Sequence, residues 1–416
     1  MRFIPAVALG RLIRFAVRMV RKGGGSALPG LVLSRVAPGL LEKTLKSFPK
    51  GVVVITGSAG KSTTTKMVVA IARAHGLSVF TNPTTANIEQ GFYSSIIQFA
   101  NYRGVIPGGI AILEMDEGHA ATICAKVSPR HTTILNVLED QLDRFVDPAD
   151  VRQKLQQVAL ATSGAVVLNR DDQNTVLIGQ VLTPASISWF GLDFAADLEY
   201  APTYLEPLPK PQAATAMTSL SGQVGNGLVS GNPVQITLPN RGAHYALDAA
   251  AALETARVLL GNDFDLALAV ATLNELPPVF ARGEIAVIEG RQVEFILVQN
   301  PASTQLNLNA LGGARERLLF AIGRDVHDPS WLWTVEPNNL QHVDVITGYN
   351  YAEAQLWLRL HGITADLNTD DLEVAWHHFM ALPEPTNSVR TVVFSADAMR
   401  RLRRFLGLTD PEAVSR

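Results

Sequence analysis

Gly51-Val-Val-Val-Ile-Thr-Gly57-Ser58-Ala59-Gly60-Lys61-Ser62-Thr63-Thr64-Thr65 decides the fold. An apolar β-branched run leads into two glycines. A helix-like segment, Lys66 to His75, follows. Strand, glycine turn and helix in that order make a phosphate cradle. Glycines let backbone N–H groups come close to phosphate oxygens, and the helix start adds a positive dipole end. In this pattern Lys61 is expected to reach the β/γ-phosphates of a nucleotide and the Ser62 hydroxyl to sit on Mg²⁺. Gly57, Ser58, Ala59, Gly60 and Thr63 complete the candidate loop. Two residues separate the glycines, against four in the usual form of the motif.

Downstream, strands and helices alternate. Leu77 to Thr81 reads as a strand, and Asn82-Pro-Thr-Thr-Ala-Asn87 as a polar loop at its C-terminal end, where α/β folds place ligand contacts. Gly109 to Leu113 is a buried strand that ends in Glu114, Asp116 and Glu117. Carboxylates at that position beside a phosphate loop are natural Mg²⁺ ligands. His131 to Asn136 is the next strand. It runs into a dense polar cluster, Glu139-Asp140-Gln141-Leu-Asp143-Arg144. Another strand ends in Asn169-Arg-Asp171-Asp172. The alternation predicts a parallel sheet covered on both faces.

From Ile187 to Gly231 prolines and glycines mark turns, either between short strands or in an irregular excursion. Gly242 to Leu260 is Ala-rich and helical. On it His244 is open to two readings, a nucleotide contact or a capping and surface role. A third region starts near Pro277 and repeats the α/β pattern. It holds Arg324-Asp325-Val-His-Asp328-Pro-Ser-Trp331-Leu-Trp333, whose paired Trp and Asp residues suggest a site or an interface.

Composition sets outer limits. The 416 residues suffice for two or three domains, and 47% hydrophobic with 18% charged residues suits a globular protein. A net charge of −3 gives no basic field for nucleic acid. The single cysteine, Cys124, excludes an intrachain disulfide framework and a cysteine-cluster zinc site, and is read as a buried small hydrophobe. A cytoplasmic protein is expected. Arg11, Arg14, Arg18 and Arg21 interrupt the apolar start of the chain, so residues 1–22 offer no membrane span and no signal-peptide core. They predict a basic amphipathic helix with the arginines on one face. It would pack on the ATP domain or meet an anionic membrane surface, which would make the protein peripheral at the inner face of the membrane.

Several motifs run in order along nearly the whole chain: Gly23 to Gly30, the short phosphate loop, Thr81-Asn82-Pro with Ala86-Asn87, Leu113 to Glu117, Asn136 to Arg144, Leu168 to Asp172, Asn300-Pro-Ala and Asp328-Pro-Ser-Trp-Leu-Trp333. Together they resemble the MurT family, the Mur-ligase-like subunits of lipid II isoglutaminyl synthase within the Mur ligase superfamily. The Asp140-Gln-Leu-Asp-Arg144 and Asp328-x-Ser-Trp-x-Trp333 runs discriminate. The resemblance implies a Mur-ligase-like α/β fold, with a central P-loop parallel-sheet ATP domain over residues 51–275 and a smaller Rossmann-like C-terminal domain over 276–416. Residues 1–50 form an N-terminal helix and loop, and 187–231 an irregular insertion.

The resemblance also implies a reaction. ATP activates the α-carboxylate of D-glutamate in the lipid II stem peptide as an acyl phosphate. Ammonia from a GatD-type class I glutaminase then gives D-isoglutamine. Glu114 and Ser62 would hold Mg²⁺. Asn82, Asn169, Asp172 and Arg282 would serve the nucleotide. Asn87, Asp140, Gln141, Asp143, Arg144 and Asn300 would position substrate. Asp328, or alternatively Asp325, would assist the glutaminase across an interface. The chain departs from the family in having no four-cysteine zinc ribbon, so no zinc is expected. It also has Thr334 after the second Trp and Gln299-Asn-Pro-Ala-Ser303 for Lys-Asn-Pro-Ala-Gly. Two other readings keep the loop: a stand-alone Mur or folylpolyglutamate-like amino acid ligase, and a non-catalytic nucleotide-binding scaffold.

Overall fold

The structure, a computed structural model, describes residues 3–20, 28–83, 87–138, 147–196, 198, 200–203, 205–277, 281–298, 300–311, 315–326, 328–337, 340–386 and 388–408. These fall into two compact units. One runs to Leu276 apart from Pro239–His244. The other comprises Pro239–His244 and the chain from Pro277 onward.

The first unit opens with three helices, α1 (Ile4–Val20), α2 (Leu28–Val36) and α3 (Leu40–Lys46). The α/β alternation follows as β1 (Val52–Thr56), α4 (Lys61–Ala74), β2 (Val79–Phe80), α5 (Glu89–Phe99), β3 (Ile110–Glu114), α6 (Glu117–Val127), β4 (His131–Ile134), α7 (Pro148–Ala161), β5 (Val166–Asn169) and α8 (Gln173–Gln180). Then come β6 (Ile187–Leu192), β7 (Thr215–Ser221), β8 (Val224–Val229), β9 (Asn232–Thr237), α9 (Ala243–Leu260) and α10 (Leu266–Asn274).

All nine strands join one sheet in the order β2-β3-β1-β4-β5-β6-β7-β8-β9, parallel from β2 to β7 and antiparallel from β7 to β9. Every residue of β1, β3, β4 and β5 is buried. Continuous apolar runs are what a strand covered on both faces requires. Asp116, Asp147, Asp172 and Asp265 cap α6, α7, α8 and α10 by accepting from backbone N–H groups, which sets where those helices begin.

The stretch 187–231 is not an irregular insertion. β6 continues the parallel sheet, and β7 and β8 form an antiparallel hairpin extended by β9. Its prolines fall between β6 and β7, and Gly222 and Gly231 turn the hairpins at φ +60° and +82°.

In the second unit β10 (Arg282–Ile288) and β11 (Arg291–Leu297) form an antiparallel hairpin. They are followed by α11 (Pro301–Leu311), β12 (Leu318–Ala321), β13 (Val343–Thr347), α12 (Tyr351–Leu360), β14 (Ala365–Thr369), α13 (Leu372–Ala381), β15 (Arg390–Phe394) and α14 (Ala396–Phe405). Strand order is β10-β11-β15-β12-β13-β14, parallel apart from β10. Separate hydrophobic cores lie on its two faces, one around Trp357 and Phe320 and one around Trp376 and Phe379. Arg390 is fully buried on the Phe379 side and donates to the Phe379 carbonyl (2.9 Å) and the Leu382 carbonyl (2.5 Å).

Candidate active site

Strand order builds the site. The chain leaves β1 for β2 on one side of the sheet and later returns to place β4 on the other. β1 therefore lies between β3 and β4, and ligands in such sheets bind beyond the strand ends where the order reverses. The register sets Ile55 beside Glu114 and Thr56 beside Ile134. The glycine loop is thus flanked by the end of β3 and by the segment after β4.

The loop is clamped from the β4 side. Asn136 Oδ1 accepts from the Ala59 N–H (2.8 Å), its Nδ2 donates to the Ala59 carbonyl (3.2 Å), and its own carbonyl accepts from the Ser58 N–H (3.1 Å). The Leu138 N–H donates to Ser58 Oγ (3.0 Å). Gly57 has φ +131°, and a Cβ there would lie 2.9 Å from the Asn136 nitrogen. Gly60 has φ +82°, and a Cβ there would overlap Asp248 Oδ1. Both positions need glycine for conformation and for space. Gly60 lacks a side chain to cap α4, so the first N–H groups of that helix receive no side-chain cap from it. Ser62, Thr63 and Thr64 are buried in its first turn.

Lys61 Nζ donates to the Gly57 carbonyl (2.5 Å) and the Ser58 carbonyl (2.9 Å), and lies 3.3 Å from Glu117 Oε2. The three carboxylates after β3 divide their work. Asp116 caps α6 through the Gly118 N–H (3.0 Å), and Glu117 pairs with Lys61. Glu114 is buried and gripped by two asparagines. Asn82 donates to its carbonyl and accepts from its N–H (both 3.0 Å), extending the sheet by a side chain, and Asn87 Nδ2 donates to Glu114 Oε1 (3.3 Å). Asn87 also accepts from the Asp116 N–H through its carbonyl (3.0 Å). Hard oxygen donors at Glu114 and Ser62 suit Mg²⁺, and a loop with no room for a Cβ suits close-lying phosphate oxygens.

Asn169 and Asp172 brace the same region. Asn169 Nδ2 donates to the Leu135 carbonyl (2.9 Å), and Asp172 Oδ2 accepts from the Val137 N–H (2.6 Å). Burial pushes the Asp172 carboxyl up to about 7. These groups hold the backbone on either side of Asn136, which holds the loop.

Asp248 was missed by sequence reasoning, which singled out His244 on α9. Asp248 is buried, meets Gly60, and accepts from Thr64 Oγ1 (3.3 Å). A lone acid inside Ala-Leu-Asp248-Ala-Ala-Ala-Ala was the available signal. Cys124 is buried, and burial raises its thiol to about 12, so it is not a nucleophile.

In the second unit Asn300 Oδ1 accepts from the Ser303 N–H (2.7 Å), and Ser303 Oγ accepts from the Asn300 N–H (3.1 Å). This reciprocal cap starts α11. Asp325 accepts from Ser395 Oγ (2.6 Å) beyond the ends of β12 and β15. Asp328 is exposed and caps the 3₁₀ turn Pro329–Thr334 through the Ser330 N–H (3.0 Å), and Ser330 holds its carboxyl below the usual range. Trp333 and Tyr349 are exposed nearby in the chain's second unit, the latter under the Arg324 guanidinium. Asp140, Gln141, Asp143 and Arg144, and the side chain of Arg282, lie outside the described residues.

With this geometry in hand, the sequence matches the Mur ligase middle domain over residues 55–256. The chain is 26% identical to the MurT subunit of lipid II isoglutaminyl synthase (glutamine-hydrolyzing) from Streptococcus pneumoniae, over 84% of this chain and 85% of that protein. It is 28% identical to the Staphylococcus aureus MurT subunit over 41% of this chain and 38% of that one. Among solved structures, the MurF ligase of Thermotoga maritima in complex with ADP superposes with a TM-score of 0.64 at 19% identity, covering 91% of this chain and 84% of that one. The Mur-ligase-like fold and the resemblance to MurT both hold. The two relatives are named as synthase subunits and the structural neighbour as a ligase.

Proposed function

We propose that this chain is the ATP-using subunit of a glutamine-dependent amidotransferase of peptidoglycan synthesis, converting the D-glutamate α-carboxylate of lipid II to D-isoglutamine. Lys61 on the glycine turn, with Glu114 held by Asn82 and Asn87 on the neighbouring strand, is the observation that carries this. The MurT relatives supply the acceptor and the donor.

Phosphate oxygens exchange for the Gly57 and Ser58 carbonyls that Lys61 Nζ touches, and the lysine then neutralises charge as the γ-phosphoryl group moves. The substrate carboxylate oxygen bonds to that phosphorus and the bond to ADP breaks. Ammonia then bonds to the acyl carbon, phosphate leaves, and the nitrogen gives up a proton. Glu114 and Ser62 would hold Mg²⁺, which would supply charge neutralisation on the phosphates. Asn169 and Asp172 keep the loop's support in place for nucleotide. Arg282 serves the nucleotide, and Asn300 and the Asp140–Arg144 run serve substrate positioning.

The ammonia comes from a GatD-type glutaminase. Asp328, exposed and with its carboxyl held below the usual range by Ser330, is the better donor of help to that partner. Asp325 is committed to Ser395. The enzyme works in the cytoplasm at the inner membrane surface, where lipid II is embedded. Co-expression with a class I glutaminase, followed by an assay of glutamine- and ATP-dependent amidation of lipid II, tests the reading. ATP use driven by a free amino acid, with no partner, would favour a stand-alone ligase.

A further inference from the structure

Among the described residues, the outward face of α1 is apolar. Pro5, Ala8, Leu9, Leu12, Phe15, Ala16 and Met19 recur at helical spacing, and they are all of the helix's exposed described residues. Leu12, Phe15 and Met19 are 64%, 63% and 73% exposed. The opposite face packs on the protein. Ala6 and Val7 are buried, and Gly10 lies so close to α5 that a Cβ would sit 2.9 Å from Ile97 Cγ1.

Arg11 and Arg14 do not cover the apolar face. Arg11 donates to the Ile97 carbonyl (3.3 Å) and the Ala100 carbonyl (2.5 Å), closing the C-terminal end of α5, and lies over the ring of exposed Tyr102. Arg14 donates to Gln98 Oε1 (2.7 Å). The helix is therefore held by its polar flank and presents its apolar side, the reverse of a solvated surface helix.

Charge identifies what covers that side. Residues 1–41 carry Arg2, Arg11, Arg14, Arg18, Arg21, Lys22 and Arg35 and no acidic residue, the first being Glu42, in a chain of net charge −3. No helix among the described residues is long and apolar enough to cross a membrane. A second copy of the same face would set like charges against each other. We infer that α1 docks the protein on an anionic phospholipid bilayer, with Leu12, Phe15 and Met19 entering the headgroup–acyl boundary and the basic residues meeting lipid phosphates. The inference rests on α1 and is independent of the amidation chemistry.

The test is co-sedimentation of the full chain with phosphatidylglycerol–phosphatidylcholine vesicles and with pure phosphatidylcholine vesicles. Binding is expected to the anionic vesicles, weakened by salt, and lowered about tenfold or more in L12E/F15E/M19E. Thermal unfolding of that variant should match the parent, since the three side chains are solvent-exposed. As a second readout, Phe15→Cys carrying an environment-sensitive dye should shift to the blue on anionic vesicles; Cys124 is buried and does not compete for the label. Equal binding to neutral vesicles, unchanged binding of the triple variant, or a concentration-dependent dimer of the parent lost in the triple variant would each overturn the inference. Amidation of a soluble acceptor in detergent should be unchanged in the triple variant, so failure here is distinct from failure of the catalytic reading.

Discussion

Lys61 Nζ lies 3.3 Å from Glu117 Oε2, and both side chains are largely withdrawn from solvent. The pair fixes where the ammonium stands, at the mouth of the loop whose carbonyls it touches. Lys61→Ala should lower ATP turnover by about 10²–10³-fold or more, because the developing phosphoryl charge loses its partner. Glu117→Gln keeps the shape and loses the charge. It should lower kcat with little change in the melting temperature. Steady-state ADP release with each variant checks this, and undiminished turnover in Lys61→Ala would point to the scaffold reading.

Gly60 and Asp248 form the second constraint on the loop. Gly60→Ala introduces an L-residue at φ +82°, which costs about 1–2 kcal/mol, and drives its Cβ into Asp248 Oδ1. Nucleotide affinity measured by calorimetry should collapse. Gly60→Ala combined with Asp248→Ala should recover part of the loss, and strict additivity of the two changes would show that the contact does not matter.

Asn82 and Asn87 hold Glu114 from its backbone and from its carboxylate. Asn87→Ala should raise the Mg²⁺ concentration needed for half-maximal ATP turnover several-fold, since a positioned ligand binds better than a loose one. Asn82→Ala removes two bonds to a buried strand end and should also lower stability, by about 1–3 kcal/mol.

His131 gives a pH signature. Burial, and then Arg130, hold its imidazole at about 4 against an ordinary 6.5, and Nδ1 accepts from the Ala165 N–H (3.1 Å). The folded-state value is depressed. As pH falls below 6.5 the unfolded chain takes up a proton that the folded chain refuses, and stability is lost down to about 4. Above 6.5 the contribution is complete. Urea unfolding between those limits should show a steeper loss in the parent than in His131→Gln. Parallel slopes would contradict a buried neutral imidazole.

Asp328 and Asp325 separate by what they touch. Asp328→Asn should slow glutamine hydrolysis by the complex while leaving the ammonia-driven reaction intact. Asp325→Asn should disturb the Ser395 contact and lower the stability of the second unit. Glutaminase and ammonia-dependent rates measured side by side distinguish them.

The glycine loop and the strands around it were legible because their signals are local. Val52 to Thr56, the two glycines and Lys61 are contiguous, and each following strand is a short apolar run with a polar end. What was not legible depends on distant chain. Asp248 reaches the loop only because α9 returns to Gly60 and Thr64, and an alanine-rich helix gives no hint of that. The strands between Ile187 and Thr237 were obscured by glycines and prolines that turn them without breaking the sheet. Arg11 and Arg14 both reach α5 from one flank of α1, while Arg21 and the side chain of Arg18 lie outside the described residues. Which side faces outward was decided by the α5 carbonyls that Arg11 caps.

The most direct test of the central claim supplies ammonium in place of a glutaminase. The full chain is incubated with ATP, Mg²⁺, lipid II carrying ¹⁸O in its D-glutamate α-carboxylate, and ammonium chloride, and the phosphate and lipid II are analysed by mass spectrometry. The account predicts D-isoglutamine in the stem peptide, one ADP per amide, and ¹⁸O carried into the released phosphate. Amide formed without label in the phosphate, or ATP hydrolysis with the carboxylate unchanged, would contradict it.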